Sequence, residues 1–200
     1  MVAATAPAAP PLDAWLAQLG VEVVDGSGEP GAPAMSRDVV LDGERRFDLR
    51  VTVAWVDGVG LSLWAYYGPE AMEVPRRVLL AMLRTNFEQP MVKFAVTDDD
   101  RPMLMTELPP AALSPAETGL HELGRGLVRL TVVADRMLEE TATAVADRGQ
   151  LPDWSDRRAR NPALLERYRA EVEGVMPAWA PPPPRPPRRG LLNRLFGDRR

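Results

Sequence analysis

The spacing of apolar residues changes at Gln89-Pro90, and that change fixes an element boundary in the middle of the chain. Before it, Val78, Leu79, Met82 and Leu83 recur at the one-, three- and four-residue spacings of a helix stripe. After it, Val92, Phe94 and Val96 alternate, which is the pattern of a strand with one buried face. Proline disfavours helical backbone in the residue before it, so the helix ends there. Asp98-Asp99-Asp100-Arg101 then reads as a turn, and Met103 to Leu108 as a second strand closed by Pro109-Pro110. The stretch from Val78 to Leu108 is therefore a helix followed by a hairpin. It contains no reactive constellation and is expected to be a scaffold for binding.

Upstream, Leu12, Trp15, Leu16 and Leu19 fall at helical spacing and stop at Gly20, a natural helix terminator. Val21 to Val24 is a candidate strand, and Asp25 to Pro33 is a Gly-, Ser- and Pro-rich loop. From Val39 the pattern is β. Phe47, Leu49, Val51, Val53 and Trp55 alternate with Asp48, Arg50, Thr52 and Ala54. Asp57-Gly58 follows, and Val59, Leu61, Leu63, Ala65 and Tyr67 alternate again, which predicts a β-hairpin. Trp64 and Tyr66 lie on the opposite face, where cross-strand packing is favoured over an aromatic ligand platform. A helix then begins near Pro75.

Downstream, Ser114-Pro115-Ala116-Glu117 predicts a helix with serine as its N-cap and glutamate reaching back to the cap. Leu120, Leu123, Leu127, Leu130, Ala134, Met137 and Thr141 carry its apolar stripe towards Val145. Continuous to Arg148, it is roughly 50 Å long at about 1.5 Å per residue. That exceeds what a small sheet covers, so its end is expected to project, pack on a partner chain or break. Gly119, Gly124 and Gly126 suit a kink near Gly124, or close approach of another backbone. A last helix is capped by Asn161-Pro162 and has Leu165, Tyr168 and Val172 on one face.

The expected organisation is a disordered segment 1–11, one domain over 12–148, a linker and helix over 149–179, and a proline- and arginine-rich tail over 180–200. The tail's end places Leu191, Leu192, Leu195 and Phe196 on one face of a peptide too short to be a stable helix alone.

Two hundred residues suffice for a core without staples, and the absence of cysteine excludes thiol catalysis, thiolate metal sites and disulfides. A secretory signal and a membrane span are not expected, and a cytoplasmic location is the simplest reading. The net charge of -4 hides an asymmetry. Residues 181–200 carry +5, from six arginines and Asp198, which leaves -9 for residues 1–180. An acidic body argues against direct nucleic-acid binding, because phosphate recognition needs clustered positive charge.

Known catalytic arrangements each lack a part. His121 is the single histidine and reads as a solvated helix residue, not as a general base. Asp98, Asp99 and Asp100 lack the spacing of a calcium loop and read as a turn. Nothing distinguishes Glu107 with Glu88 or Glu117 as an acid/base pair. No phosphate or dinucleotide loop is present, and no cofactor, metal or catalytic residue is expected.

Leu83-Arg84-Thr85-Asn86-Phe87-Glu88-Gln89-Pro90-Met91-Val92-Lys93-Phe94, the following acidic turn, the strand ending in Glu107-Leu108-Pro109, and the later Val132 to Glu140 segment resemble the YbjN-like family. That family is similar in turn to the type III secretion chaperones. The resemblance covers residues 12–147. It implies an α+β domain in the order α-β-β-β-α-β-β-α, with an antiparallel sheet and a long C-terminal helix. It further implies a non-enzymatic, chaperone-like protein of the bacterial cytoplasm, often a homodimer, that binds a protein client, with stress response as one setting. The client expected for an acidic body includes DNA-binding proteins. The long-helix residues Leu120, Leu123, Leu127, Leu130 and Met137 are the expected protein-binding or dimer surface. The alternative function is docking by residues 185–200, through Leu191, Leu192, Leu195 and Phe196, into a partner groove or onto an anionic membrane.

Overall fold

The computed structural model describes residues 9–25, 35–44, 46–66, 76–89, 91–145 and 159–176. In chain order these form α1 (Leu12–Gln18), β1 (Val23–Asp25), β2 (Ser36–Leu41), β3 (Leu49–Val56), β4 (Gly60–Tyr66), α2 (Arg76–Glu88), β5 (Lys93–Val96), β6 (Pro102–Leu108), α3 (Ala116–Val145) and α4 (Pro162–Val175). The strands make one six-stranded antiparallel sheet in the order β1-β2-β3-β4-β6-β5. The α+β class is therefore as expected. Four strands precede α2 where the expected order has three, because Val23–Asp25 pairs with β2 and extends the sheet by one.

Alternation decides which sheet face is covered. Leu49, Val51 and Val53 of β3, Leu61 and Leu63 of β4, and Leu104 and Leu108 of β6 are all at most 2 % exposed. The helices pack over this face. Each such leucine or valine contributes about 1.5–3 kcal/mol by leaving water. The opposite face is polar at β2 and β3, where Asp38 accepts hydrogen bonds from Arg50 at 2.7 Å and Thr52 at 2.7 Å.

The β3–β4 connection differs from a two-residue Asp-Gly turn. Val56 pairs with Gly60, so three residues form the loop, and the positive φ falls on Gly58 (80°) and Gly60 (113°), not on Asp57. Gly60 is obligatory for a second reason: a side chain there would collide with the backbone of Leu108.

The long helix is a single 30-residue element, α3, and its stripe from Leu123 to Met137 is buried within the chain. Its glycines are notches for neighbouring side chains. A Cβ on Gly119 would strike the Trp15 indole of α1, and one on Gly124 would strike the Tyr168 ring of α4. The helix starts later than expected. Pro110–Leu113 forms a 3-10 turn, Ser114 is extended, and the carbonyl of Pro115 accepts the first helical bond, from Gly119 at 3.0 Å. Ser114 is thus not the N-cap.

The last helix, α4, folds back on α3 and buries Leu164, Tyr168 and Val172. Asn161 does not cap it with its side chain. Its Oδ1 instead accepts the backbone N–H of Asp42 at 3.0 Å. Asp42 is fully buried and accepts from the backbone of Asp48 at 2.8 Å and of Arg160 at 2.9 Å. Asp135 of α3 accepts from the backbone of Glu44 and Arg46 at 2.8 and 2.7 Å. Carboxylates thus hold the β2–β3 connection against both C-terminal helices.

Candidate functional site

The five residues expected to form a protein-binding or dimer surface on the long helix lie in the chain's own core. Leu123, Leu127, Leu130 and Met137 are 0 % exposed, and Leu120 is half-buried against the same cluster. The correction has a simple cause: the sheet, α1, α2 and α4 together cover the stripe that sequence alone leaves unpartnered. Leu191, Leu192, Leu195 and Phe196, with the rest of the tail and residues 149–158, lie outside the described residues.

The other residues weighed for chemistry take structural positions. His121 is half-buried with its Nδ1 3.0 Å from the Tyr168 hydroxyl, ring edge to ring face. Asp99 accepts a hydrogen bond from the Thr97 hydroxyl and pairs with Arg101 at 3.3 Å, while Asp100 takes φ 60°. Those contacts hold the Asp99 carboxyl below its ordinary range, through Thr97 first. Among the described residues no three His, Cys, Asp or Glu side chains are grouped to hold a metal ion. Trp64 sits between Thr52 and Met105 on neighbouring strands, and Arg101 lies 5.7 Å over the Tyr66 ring. Glu88, Glu107 and Glu117 are exposed on α2, β6 and α3 respectively.

The surface that stands out is α2. Its inner face is Val78, Ala81, Met82 and Thr85, all at most 8 % exposed. Its outer face carries a second apolar row at three- and four-residue spacing: Leu80 at 42 %, Leu83 at 64 % and Phe87 at 90 % exposed. Met91, just past the helix, adds a side chain 53 % exposed. Single exposed apolar residues are ordinary, but a row of them on one helix face is the candidate for an interaction surface. The sequence stripe Val78, Leu79, Met82 and Leu83 thus mixes two faces, and Leu83 belongs to the open one.

Local bonding fixes this row in place. Asn86 turns its side-chain amide against the backbone of Phe94. Its Nδ2 donates to the Phe94 carbonyl at 2.9 Å, and its Oδ1 accepts from the Phe94 N–H at 2.6 Å. The amide so occupies the outer edge of β5, an end strand of the sheet that would otherwise invite pairing. Val92 N–H donates to Gln89 at 3.1 Å, and the Thr106 hydroxyl donates to the Met91 carbonyl at 2.6 Å. The helix, its exit and β5 are one bonded unit.

Charge on this face is arranged by end. Arg76 and Arg84 are exposed at the start and middle, Glu88 is exposed at the end, and none of the three has an ion-pair partner among the described residues. No helix among the described residues is long and apolar enough to cross a membrane. Comparison of the chain with family models, with curated proteins and with solved structures finds no match.

Proposed function

We propose that this chain is a non-enzymatic, chaperone-like protein-binding adaptor that works as a homodimer, with α2 as the face that receives the second copy. The single observation behind this reading is the exposed row Leu80, Leu83 and Phe87, extended by Met91. A two-fold axis pairs two α2 helices antiparallel, and such an interface must be complementary to itself. The charges satisfy that condition. Arg76 is exposed at the start of α2 and Glu88 at its end, so an antiparallel pair brings the positive end of each copy beside the negative end of the other. A stable interface covers about 800 Å² per partner, so the row is its centre and a polar rim lies beyond α2.

The acidic charge of residues 1–180 suits a client with a basic or mixed surface, such as a DNA-binding protein. The α+β class with an antiparallel sheet and a long helix after it, and the Asn86-Phe87 segment, support the YbjN-like reading of the domain, from which the extra strand β1 departs. Light scattering over a wide range of protein concentration tests the dimer. The wild type should have twice the chain mass, and the double variant L83E/F87E the mass of one folded chain with a melting temperature that no longer depends on protein concentration. A wild type that stays monomeric throughout would remove the proposal.

A further inference from the structure

The outer face of the sheet, opposite the helices, carries an apolar patch that the core does not use. Register places Thr52, Trp64, Met105 and Lys93 in one row across β3, β4, β6 and β5, and Tyr66, Met103 and Ala95 in the next. Their neighbours along the strands, Leu63, Ala65 and Leu104, point into the core at no more than 1 % exposure. Trp64, Met103 and Met105 are half-buried, Tyr66 is exposed, and none of the four belongs to the core cluster. Two aromatic rings beside two thioethers form a polarisable apolar surface.

Charge around this patch is unbalanced. Arg50 is held by Asp38 at 2.7 Å, Arg101 by Asp99 at 3.3 Å, and the Lys93 ammonium donates to the Asn86 carbonyl at 3.2 Å. Glu107 beyond Met105, and Asp98 and Asp100 in the turn before Met103, are exposed and have no ion-pair partner among the described residues.

The chain itself contains a segment of matching chemistry, outside the described residues. Residues 181–189 read Pro-Pro-Pro-Pro-Arg-Pro-Pro-Arg-Arg. Proline fixes φ near the polyproline II value, so such a segment binds with little loss of conformational freedom, and aromatic surfaces receive it. Its three arginines answer the three unpaired carboxylates. The sizes agree as well, because nine residues at about 3.1 Å each cover about 28 Å. From Met103 to Glu107, β6 runs about 13 Å at about 3.3 Å per residue, with the acidic turn beyond it. The segment starts five residues after Met176, an extended reach of about 17 Å, which carries it past the width of a helix, about 10 Å.

We infer that the sheet face formed by Trp64, Tyr66, Met103 and Met105 receives the proline segment 181–189 of this chain. The contact does not involve α2 and does not depend on the dimer.

Methyl NMR of the full chain with isotope-labelled methionine tests it. The chain has no cysteine, so G190C takes a nitroxide label at one place, directly after the segment. The Met103 and Met105 methyls should broaden and recover when the nitroxide is reduced, while Met82, buried under α2, stays sharp. Replacing Pro183, Pro184, Pro186 and Pro187 by serine in the labelled chain should remove most of the broadening, and R185E/R188E/R189E should do the same. Both sets of changes lie in the tail and leave the domain's own residues intact. The site is overturned if Met103 and Met105 stay sharp in the labelled chain, or if either tail variant broadens them as the parent does. Broadening of the exposed Met91 in their place would put the tail on the α2 row and overturn it equally.

Discussion

Two helices of this protein carry similar apolar rows and end in opposite situations. The row on α3, from Leu123 to Met137, is closed off by the chain's own sheet and helices. On α2 one row is closed off in the same way, and a second row, Leu80, Leu83 and Phe87, faces water. Both are amphipathic by spacing, so periodicity alone does not say which is available to a partner. What decides is how many elements reach each helix. The longer helix has α1, α2, α4 and the sheet around it, and its glycines let Trp15 and Tyr168 sit close to its backbone. The shorter one packs on α3 and β5 through its inner face, and its outer row is exposed.

The largest effect that separates the two should come from Leu130→Ala. A fully buried leucine at the sheet contact costs about 2–5 kcal/mol on truncation, read as a clear loss in a denaturant melt. The same change at Leu83 should move stability by less than about 0.5 kcal/mol in the monomer. Equal costs at the two positions would break the comparison.

Gly124→Ala comes next. Helix propensity alone favours alanine by about 1 kcal/mol, yet the new methyl meets the Tyr168 ring, so a net loss of about 1–3 kcal/mol is expected in the same melt. A stabilised Gly124→Ala protein would show that α4 is not seated on α3 as described.

The smallest effect concerns Tyr168, whose phenol burial holds above its ordinary titration range. The folded state keeps the proton that the unfolded chain releases near pH 10, so this contribution is complete below about pH 10 and is lost as pH rises through the folded value. Tyr168→Phe should flatten that alkaline decline in a pH series of melts. An identical decline in the variant would mean that another group causes it.

Much of the fold was legible in the residues. Alternation located β3, β4 and β6, Gly20 ended α1, and Pro90 separated α2 from β5. The helix starts were less legible, because Pro110–Leu113 takes a 3-10 turn that displaces Ser114, and Asn161 turns its side-chain amide oxygen to the Asp42 N–H and serves its own helix only through its backbone carbonyl. The candidate site was half legible. An excess of apolar residues on α2, with Val78 to Leu83 apolar without interruption, signals more than one apolar face. Which of them stays open depends on the helix's neighbours, and those are set by residues far away in sequence. Asn86 illustrates the point: its bond to the Phe94 backbone depends on a strand eight residues on, and no local pattern announces it.

The comparison rests most directly on the oligomeric state of L83E/F87E beside Leu130→Ala. If α2 is the open face, light scattering gives a dimer for the wild type, a folded monomer whose melting temperature no longer depends on concentration for L83E/F87E, and a dimer of lowered melting temperature for Leu130→Ala. A dimer that survives L83E/F87E intact would contradict the account.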